Sequence, residues 1–567
     1  MKISLSCIVG NEEERIEQFI HSFKHVATKM IFVRATGNST PDKTCEIIAT
    51  VCKSIGMPYV IDIYENEVDF PHVDNFGKAR QMSWNIARQD SDWVFWADAD
   101  DSISIETAEI IKDVVKTTTH DAFSCIYNIG NGTQLVPRER FAKSSVNVKW
   151  NRKVHEYFTV PNNEIGSHCE ISFVHSCLPK PVSNRNSNIL IESLGETAND
   201  LYYLASQYKV ENNPPLFLQA AEAFFALIDF GTTNEMVKSQ LYYLLTWSAI
   251  WSDKENNYLE KAKEIYPYRR EAVAYEVTKK LAGGNYAEAL VLCEKMISTP
   301  LPSTITWNEE ILWRGWRSNE LYRQCLRKNG RGEDADLHFK QNINPLYPVF
   351  TIVHATLERQ MQALIARDAW LSKAAHPENV EYIFGIHKED VTSVGILDGF
   401  KHTVTDLEGC NCNYDVAAGE ATGSIIIQGA DDTDPDLHWD NTLNQIIVDS
   451  SQPVSVIVND GQNSERPTTL VLTKAYMDIK KERETEENGF FPRSYPTLYS
   501  DDENHIRAIK DETNKLVTYL DARNKITVKH NHHLFNNAIP FDETYEKQYD
   551  SDKKEKSLEV FKARNFS

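Results

Sequence analysis

Nothing in this 567-residue chain approaches the ~20 consecutive apolar residues that a membrane-spanning helix needs. The opening Met1-Lys2-Ile3-Ser4-Leu5-Ser6-Cys7-Ile8-Val9-Gly10 is charged too early and is too short for a secretory leader, so it reads as a first buried strand. Cysteine is sparse. Ten residues are scattered along the chain, and the one close pair, Cys410-Asn411-Cys412, has no matching pair to complete a zinc knuckle. No disulfide framework is expected, and a reducing, cytoplasmic setting is. Basic residues are also in short supply: 60 Lys and Arg against 82 Asp and Glu leave a formal net charge of −22. That disfavours tight non-specific binding to nucleic acid, which relies on neutralising phosphates. A local basic groove stays open, because net charge describes the whole surface. Finally, no glycine-rich phosphate loop follows the first strand; Gly10-Asn11-Glu12-Glu13 stands there instead, which weighs against a pyrophosphorylase-type nucleotidyl enzyme.

What remains is the profile of a globular chain, 41% hydrophobic and 25% charged, too long for one core. From 1 to 197 strands and helices alternate: Ile3–Val9, a helix over Glu12–Phe23, Met30–Val33, a helix over Lys43–Ile55, Tyr59–Tyr64, a helix over Phe76–Arg88 and Trp93–Ala97. This alternation predicts a parallel, Rossmann-like α/β sheet. From 198 to 347 the periodicity is helical throughout. Gly284-Asn285-Tyr286-Ala287-Glu288-Ala289, with a weaker echo at Gly330-Arg331-Gly332-Glu333-Asp334-Ala335, resembles irregular tetratricopeptide repeats. The α/β alternation restarts over 348–545, and 546–567 reads as a polar tail helix. The charged run Lys480–Asn488 is expected to be a solvated loop.

Trp93-Val94-Phe95-Trp96-Ala97-Asp98-Ala99-Asp100-Asp101 carries the chemistry: an apolar strand running directly into three carboxylates. Such a strand delivers acids to the carboxyl edge of the sheet, where open α/β sheets bind ligands. Acids this close call for a cation, and oxygen ligands suit Mg2+ or Mn2+. An acidic turn capping the next helix is the plain alternative. The pattern then recurs, because Ser424–Gln428 feeds into Gly429-Ala430-Asp431-Asp432-Thr433-Asp434.

With Phe70, Asn75-Phe76-Gly77-Lys78-Ala79-Arg80, Asp98-Ala99-Asp100, Arg140-Phe141, Val154-His155-Glu156 and Val174-His175 in this order, the first region resembles a family-2 glycosyltransferase of the GT-A fold. The second α/β region resembles a more divergent copy, giving two GT-A-like domains separated by an α-helical, repeat-like one. The resemblance implies transfer, with inversion, of a sugar from a nucleotide-sugar donor to a hydroxyl, assisted by Mn2+ or Mg2+. It implies donor contacts from Asn11, Glu12, Arg80 and Asp98, metal ligation by Asp100 and His175, and Glu156 as the base that takes the acceptor's proton. A structural salt bridge from Glu156 to Arg140 or Arg152 is the alternative. In the second copy the corresponding roles fall to Asp431 (donor), Asp432 and His532 (metal) and Asp502 (base), so two sequential transfers are expected, with one copy serving only for binding or scaffolding as the alternative. One departure stands out: Ala35 lies where the family has a base-recognising acid, so a UDP-sugar is only the default donor.

The acceptor is left open among glycan, protein and a hydroxymethylated DNA base of the kind modified by viral enzymes, the last because Lys143, Lys149, Arg152 and Lys153 cluster near the acceptor end. The helical region offers a surface for a protein partner. The rival from another class is a non-catalytic scaffold with relic α/β units.

Overall fold

The computed structural model describes residues 1–129, 134–175, 184–192, 197–252, 257–302, 306, 309–461, 469–483, 487–495, 500–530 and 551–563. The chain divides into two compact units, Met1–Tyr275 with Pro300–Leu312, and Glu276–Thr299 with Trp313–Ser567. The helical stretch is thus shared between the units. Among the described residues no helix is long and apolar enough to cross a membrane, and the nine described cysteines are free thiols.

In the first unit, strands β1 (Ile3–Val9), β2 (Lys29–Arg34), β3 (Tyr59–Ile63) and β4 (Trp93–Trp96) run parallel. They are followed by β5 (Asp101–Ser102), β6 (Ala122–Ile129), β7 (Gln134–Lys143), a small hairpin of β8 (Lys149–Asn151) and β9 (Tyr157–Thr159), and β10 (Gly166–His175). The eight-stranded sheet has the order β3-β2-β1-β4-β7-β6-β10-β5. Strands β1 and β4 are buried along their whole length; β4 is an unbroken apolar run, whereas β1 carries Ser4 and Ser6, whose buried hydroxyls are paired with those of Ser91 and Ser83.

Helix Ile16–Phe23 buries Ile16, Phe19, Ile20 and Phe23, the spacing of one helical face. It begins four residues later than the periodicity predicts. The backbone of Glu12 is drawn instead to Thr44 Oγ1, at 2.7 Å, so Asn11–Arg15 form a turn. Phe95, Phe123 and Phe141 stack in the core at centroid distances of 5.1 and 4.6 Å, tying β4 to β7 and β6.

The helical periodicity that begins at 198 is realised in helices Ala198–Val210, Pro214–Leu227, Glu235–Trp251 and Tyr258–Ile265. Further on, Tyr286–Ser298 and Gly332–Asn342 each follow a glycine with positive φ, Gly284 (+75°) and Gly330 (+73°). The two glycine-led segments therefore do share a turn, one that glycine adopts without strain. A short 3-10 turn at Ile311–Arg314 precedes helix Trp316–Lys328.

In the second unit, β11 (Phe350–Thr356), β12 (Val380–His387), β13 (His402–Thr405), β14 (Ile425–Gly429), β15 (Thr433–Pro435), β16 (Val454–Ile457), β17 (Leu470–Thr473), β18 (Thr518–Asp521) and β19 (Val528–His530) succeed one another. The sheet order is β13-β12-β11-β14-β17-β16-β18. Its first five positions repeat the first sheet: four parallel strands, then one antiparallel. The charged run at Lys480 corrects its sequence reading. Lys474–Arg483 is a helix, and Lys480 is buried, donating to Phe490 O at 3.0 Å and to Asn504. Burial pulls its ammonium down to about 8. The tail contributes a helix over Ser551–Ala563.

Candidate active site

Parallel pairing of Ile3 with Trp93 through Ser6 with Trp96 brings β1 and β4 to the sheet edge together. The turn beyond β4 is closed by two reciprocal hydrogen bonds. The Asp98 amide donates to Asp101 Oδ2, and the Asp101 amide donates to Asp98 O, both at 2.9 Å. This turn holds the three acids in fixed relation, and β5 then pairs antiparallel with β10, setting His175 opposite Asp101.

The result is a compact cluster. Ligand atoms of Asp100, Asp101 and His175 all lie within 4.8 Å of one another. His175 Nδ1 is 3.2 Å from Asp101 Oδ1, 3.4 Å from Asp100 Oδ1 and 2.7 Å from the Tyr127 hydroxyl. Two carboxylates and an imidazole are a donor set that Mn2+ or Mg2+ accepts, so these residues fit the ion that the sequence implies. Asp101, absent from the ligand set that the resemblance implies, is the buried member. Its other oxygen takes Arg140 Nη1 at 2.9 Å, and both side chains are fully excluded from water.

Arg80 links the acidic turn to Glu156. Its Nε donates to Glu156 Oε1 at 2.6 Å and its Nη2 to Asp98, so one guanidinium joins two of the expected site acids. Burial works against that charge, but Asp98 and Glu156 outweigh it and keep Arg80 firmly protonated. In return, although burial pushes the Asp98 carboxyl up, Arg80 and Arg140 hold it well below the usual carboxylate range. Trp96 provides the platform: the guanidiniums of Arg140 and Arg80 lie 3.8 and 4.2 Å from its ring centroid. Glu156 thus pairs with Arg80, not with Arg140 or Arg152.

The loop that presents Glu156 is tightly constrained. Arg152 (φ +70°) and His155 (φ +54°) both sit in the left-handed region, which non-glycine residues enter at a cost. Phe76 N donates to Lys153 O at 2.7 Å, and a Cβ on Gly77 would stand 2.3 Å from Arg152 O, so only glycine fits beneath the loop. The His155 ring stacks on Tyr203 at 4.5 Å, and Arg152 pairs with Asp200 at 3.0 Å, strapping the loop to helix Ala198–Val210. Burial pulls His155 down to about 4.

The remaining predicted donor residues lie at the same edge. Asn11 clamps the next turn, its Nδ2 donating to Thr40 O at 3.0 Å and its Oδ1 accepting from Asp42 N at 3.2 Å. Glu12 lies 3.2 Å from Arg15, which in turn reaches Asp100 at 3.6 Å. Ala35, in place of the expected acid, is buried with Ile8, Val33, Val73 and Ala79.

The second unit repeats the turn with altered chemistry. The Ala430 amide donates to Thr433 Oγ1 at 3.1 Å, and the Thr433 amide donates to Ala430 O at 3.2 Å. Thr433 therefore stands where Asp101 does, Ala430 where Asp98 does, and Asp432 where Asp100 does. The strand register extends the parallel. Ile427 pairs with Val471 as Phe95 pairs with Phe141, so Leu470 takes the place of Arg140. Opposite Thr433 lies His530, as His175 lies opposite Asp101; His532 lies outside the described residues. Asp431 is engaged elsewhere, accepting from His354 Nε2 at 2.8 Å, while His354 Nδ1 meets the Tyr382 hydroxyl at 2.7 Å. Asp502 sits in the first turn of helix Ser500–Thr513, beside buried Glu503.

No family model matches the chain, and no curated protein does. Among solved structures, S. aureus TarS 1-349 in complex with UDP-GlcNAc is 13% identical over 49% of this chain and 92% of its own, with a TM-score of 0.28. Mannosyltransferase PcManGT from Pyrobaculum calidifontis, in complex with GDP-Man and Mn2+, is 14% identical over 47% of this chain and 87% of its own, at 0.25. MamA is 16% identical over 28% of this chain and 83% of its own, at 0.21. These are partial likenesses, and the chemistry rests on the side chains described above.

Proposed function

We propose that the first unit is a GT-A-type glycosyltransferase domain that moves a sugar from a nucleotide-sugar donor to a hydroxyl acceptor. The observation that carries this reading is the convergence of Asp100, Asp101 and His175 at the carboxyl edge of a parallel sheet, with Arg80 linking Asp98 to Glu156 beside it. Asp100, Asp101 and His175 would hold a divalent ion, with Arg140 fixing the second oxygen of Asp101. When bound, the ion supplies charge neutralisation to the leaving diphosphate.

The chain's own residues account for the rest. Asp98, kept ionised by Arg80, faces the donor. Glu156 is the base: Oε1 is engaged by Arg80, while Oε2 has no hydrogen bond to any described residue and is the oxygen available to the acceptor's proton. A proton taken by Glu156 from one side of the sugar, with departure of the diphosphate from the other, gives inversion.

The transfer is assigned to the first unit. In the second, replacement of Asp98 and Asp101 by Ala430 and Thr433 supports a binding or supporting role built around Asp432. A glycan or protein hydroxyl is favoured as acceptor over a DNA base, because two of the four clustered basic residues, Lys143 and Arg152, pair with Asp121 and Asp200.

The test is hydrolysis of, or transfer from, a panel of UDP- and GDP-sugars with Mn2+, comparing wild type with Asp100→Ala and Asp432→Ala. Activity lost in the first variant and retained in the second supports the assignment. Inactivity of the wild type on every donor favours the scaffold reading.

A further inference from the structure

A second polar site lies wholly within the second unit, away from its acidic turn. Helices Trp316–Lys328, Gly332–Asn342 and Gln360–Lys373 meet the start of β12 around a cavity of about 60 Å3. Five cations line it (Arg323, Arg327, Lys340, Arg367 and Lys401) against three acids, Glu320, Asp336 and Glu381. The lining therefore carries two surplus positive charges, in a chain whose net charge is −22.

The acids are already paired. Glu320 accepts from Arg323 Nε at 2.9 Å on one oxygen and from Arg367 on the other. Burial works against its charge, but Arg367, Arg323 and Arg327 outweigh it and hold the carboxyl down to about 2. Glu381 takes Lys401 Nζ at 2.7 Å on one oxygen, and Thr351 Oγ1 at 2.6 Å and the Thr422 amide at 2.8 Å on the other. Asp336 is held by Arg327 Nη2.

The guanidiniums, by contrast, keep donors in reserve. Arg323 Nη1, Nε and Nη1 of Arg327, and Nε and Nη1 of Arg367 have no partner among the described residues, nor are they buried orphans, so they open onto accessible space. Two of the planes are fixed by rings: Arg323 lies 5.2 Å from the Phe339 centroid and Arg367 4.7 Å from that of Phe400. Arginine forks held in place with free N–H groups match tetrahedral oxyanions. A water needs roughly 10–15 Å3 of such volume, so about 60 Å3 leaves room for a tetrahedral oxyanion.

We propose that this cavity binds a dianionic phosphoryl group, either free inorganic phosphate or the phosphate of a monoester. The proposal is independent of the glycosyl-transfer reading, since none of these residues belongs to that site.

The test is isothermal titration of the full chain with inorganic phosphate, without divalent metal and at ionic strength matched with chloride. Wild type is expected to bind saturably, with Arg327→Gln weakening binding about tenfold or more. Lys340→Gln, an exposed position that leaves the fold intact, is expected to weaken it several-fold. Methyl phosphate in a parallel titration separates the sources: tighter binding than phosphate identifies a monoester, and equal or weaker binding identifies free phosphate. Absence of saturable binding to folded wild type would overturn the proposal, as would binding that both variants leave unchanged.

Discussion

His175 stands directly across a two-residue antiparallel bridge from Asp101, its Nδ1 3.2 Å from the carboxylate. The second unit keeps the register, with His530 across from Thr433, but replaces the acid. The bridge is common to both units; the carboxylate is not.

The buried pair Arg140–Asp101 gives the first prediction. Arg140→Leu strands a carboxylate with no access to water, a change that costs about 3–5 kcal/mol when a buried pair loses one partner. The double variant Arg140→Leu with Asp101→Thr copies Leu470 and Thr433 of the second unit, and should regain most of that loss. Chemical denaturation of the four members of the cycle measures the coupling.

Glu156→Gln should reduce transfer by roughly 10²–10⁴-fold, the range for a positioned general base. Donor affinity should stay close to wild type, because the amide oxygen can still accept from Arg80. Steady-state kinetics alongside donor titration separates the two effects. An equal loss in donor affinity would reassign Glu156 to donor binding.

Gly77→Ala tests the loop that carries Glu156. The added Cβ falls 2.3 Å from Arg152 O, so the loop must move. Transfer should fall at least tenfold, in line with the sensitivity of catalysis to small misplacements. Metal binding, across the site, should be unaltered.

His155 adds a pH dependence to stability. Its folded value of about 4 lies below the ordinary ~6.5, so the unfolded chain binds its proton first as pH falls. The contribution is complete above pH ~6.5 and is lost progressively on acidification toward pH ~4, amounting to about 3 kcal/mol at most. Comparing denaturation of wild type and His155→Gln across that window isolates it; parallel curves would contradict the assignment.

Much of this was legible in the residues. Buried parallel strands are short and rich in apolar residues, so β1, β4, β11 and β14 stand out, and the carboxylates that follow β4 and β14 mark the sheet edge. Pairings between distant positions were not legible. Arg80 meets Glu156 across 76 positions and His354 meets Asp431 across 77, and no local pattern encodes such contacts. Asp101 was visible, but its place beside His175 follows from strand register. The place of Lys480 was not legible either, because a charged run says nothing of which member faces inward; its helix turns that ammonium onto Phe490 O and Asn504.

The central claim is that the acidic end of β4 is a divalent-metal centre. Electron paramagnetic resonance of Mn2+ titrated into the full chain, with a nucleoside diphosphate present, tests it most directly. The account predicts a tight Mn2+ site in wild type that is lost in both Asp100→Ala and His175→Ala while each variant stays folded. Undiminished tight binding in those variants, or its absence from wild type, would contradict it.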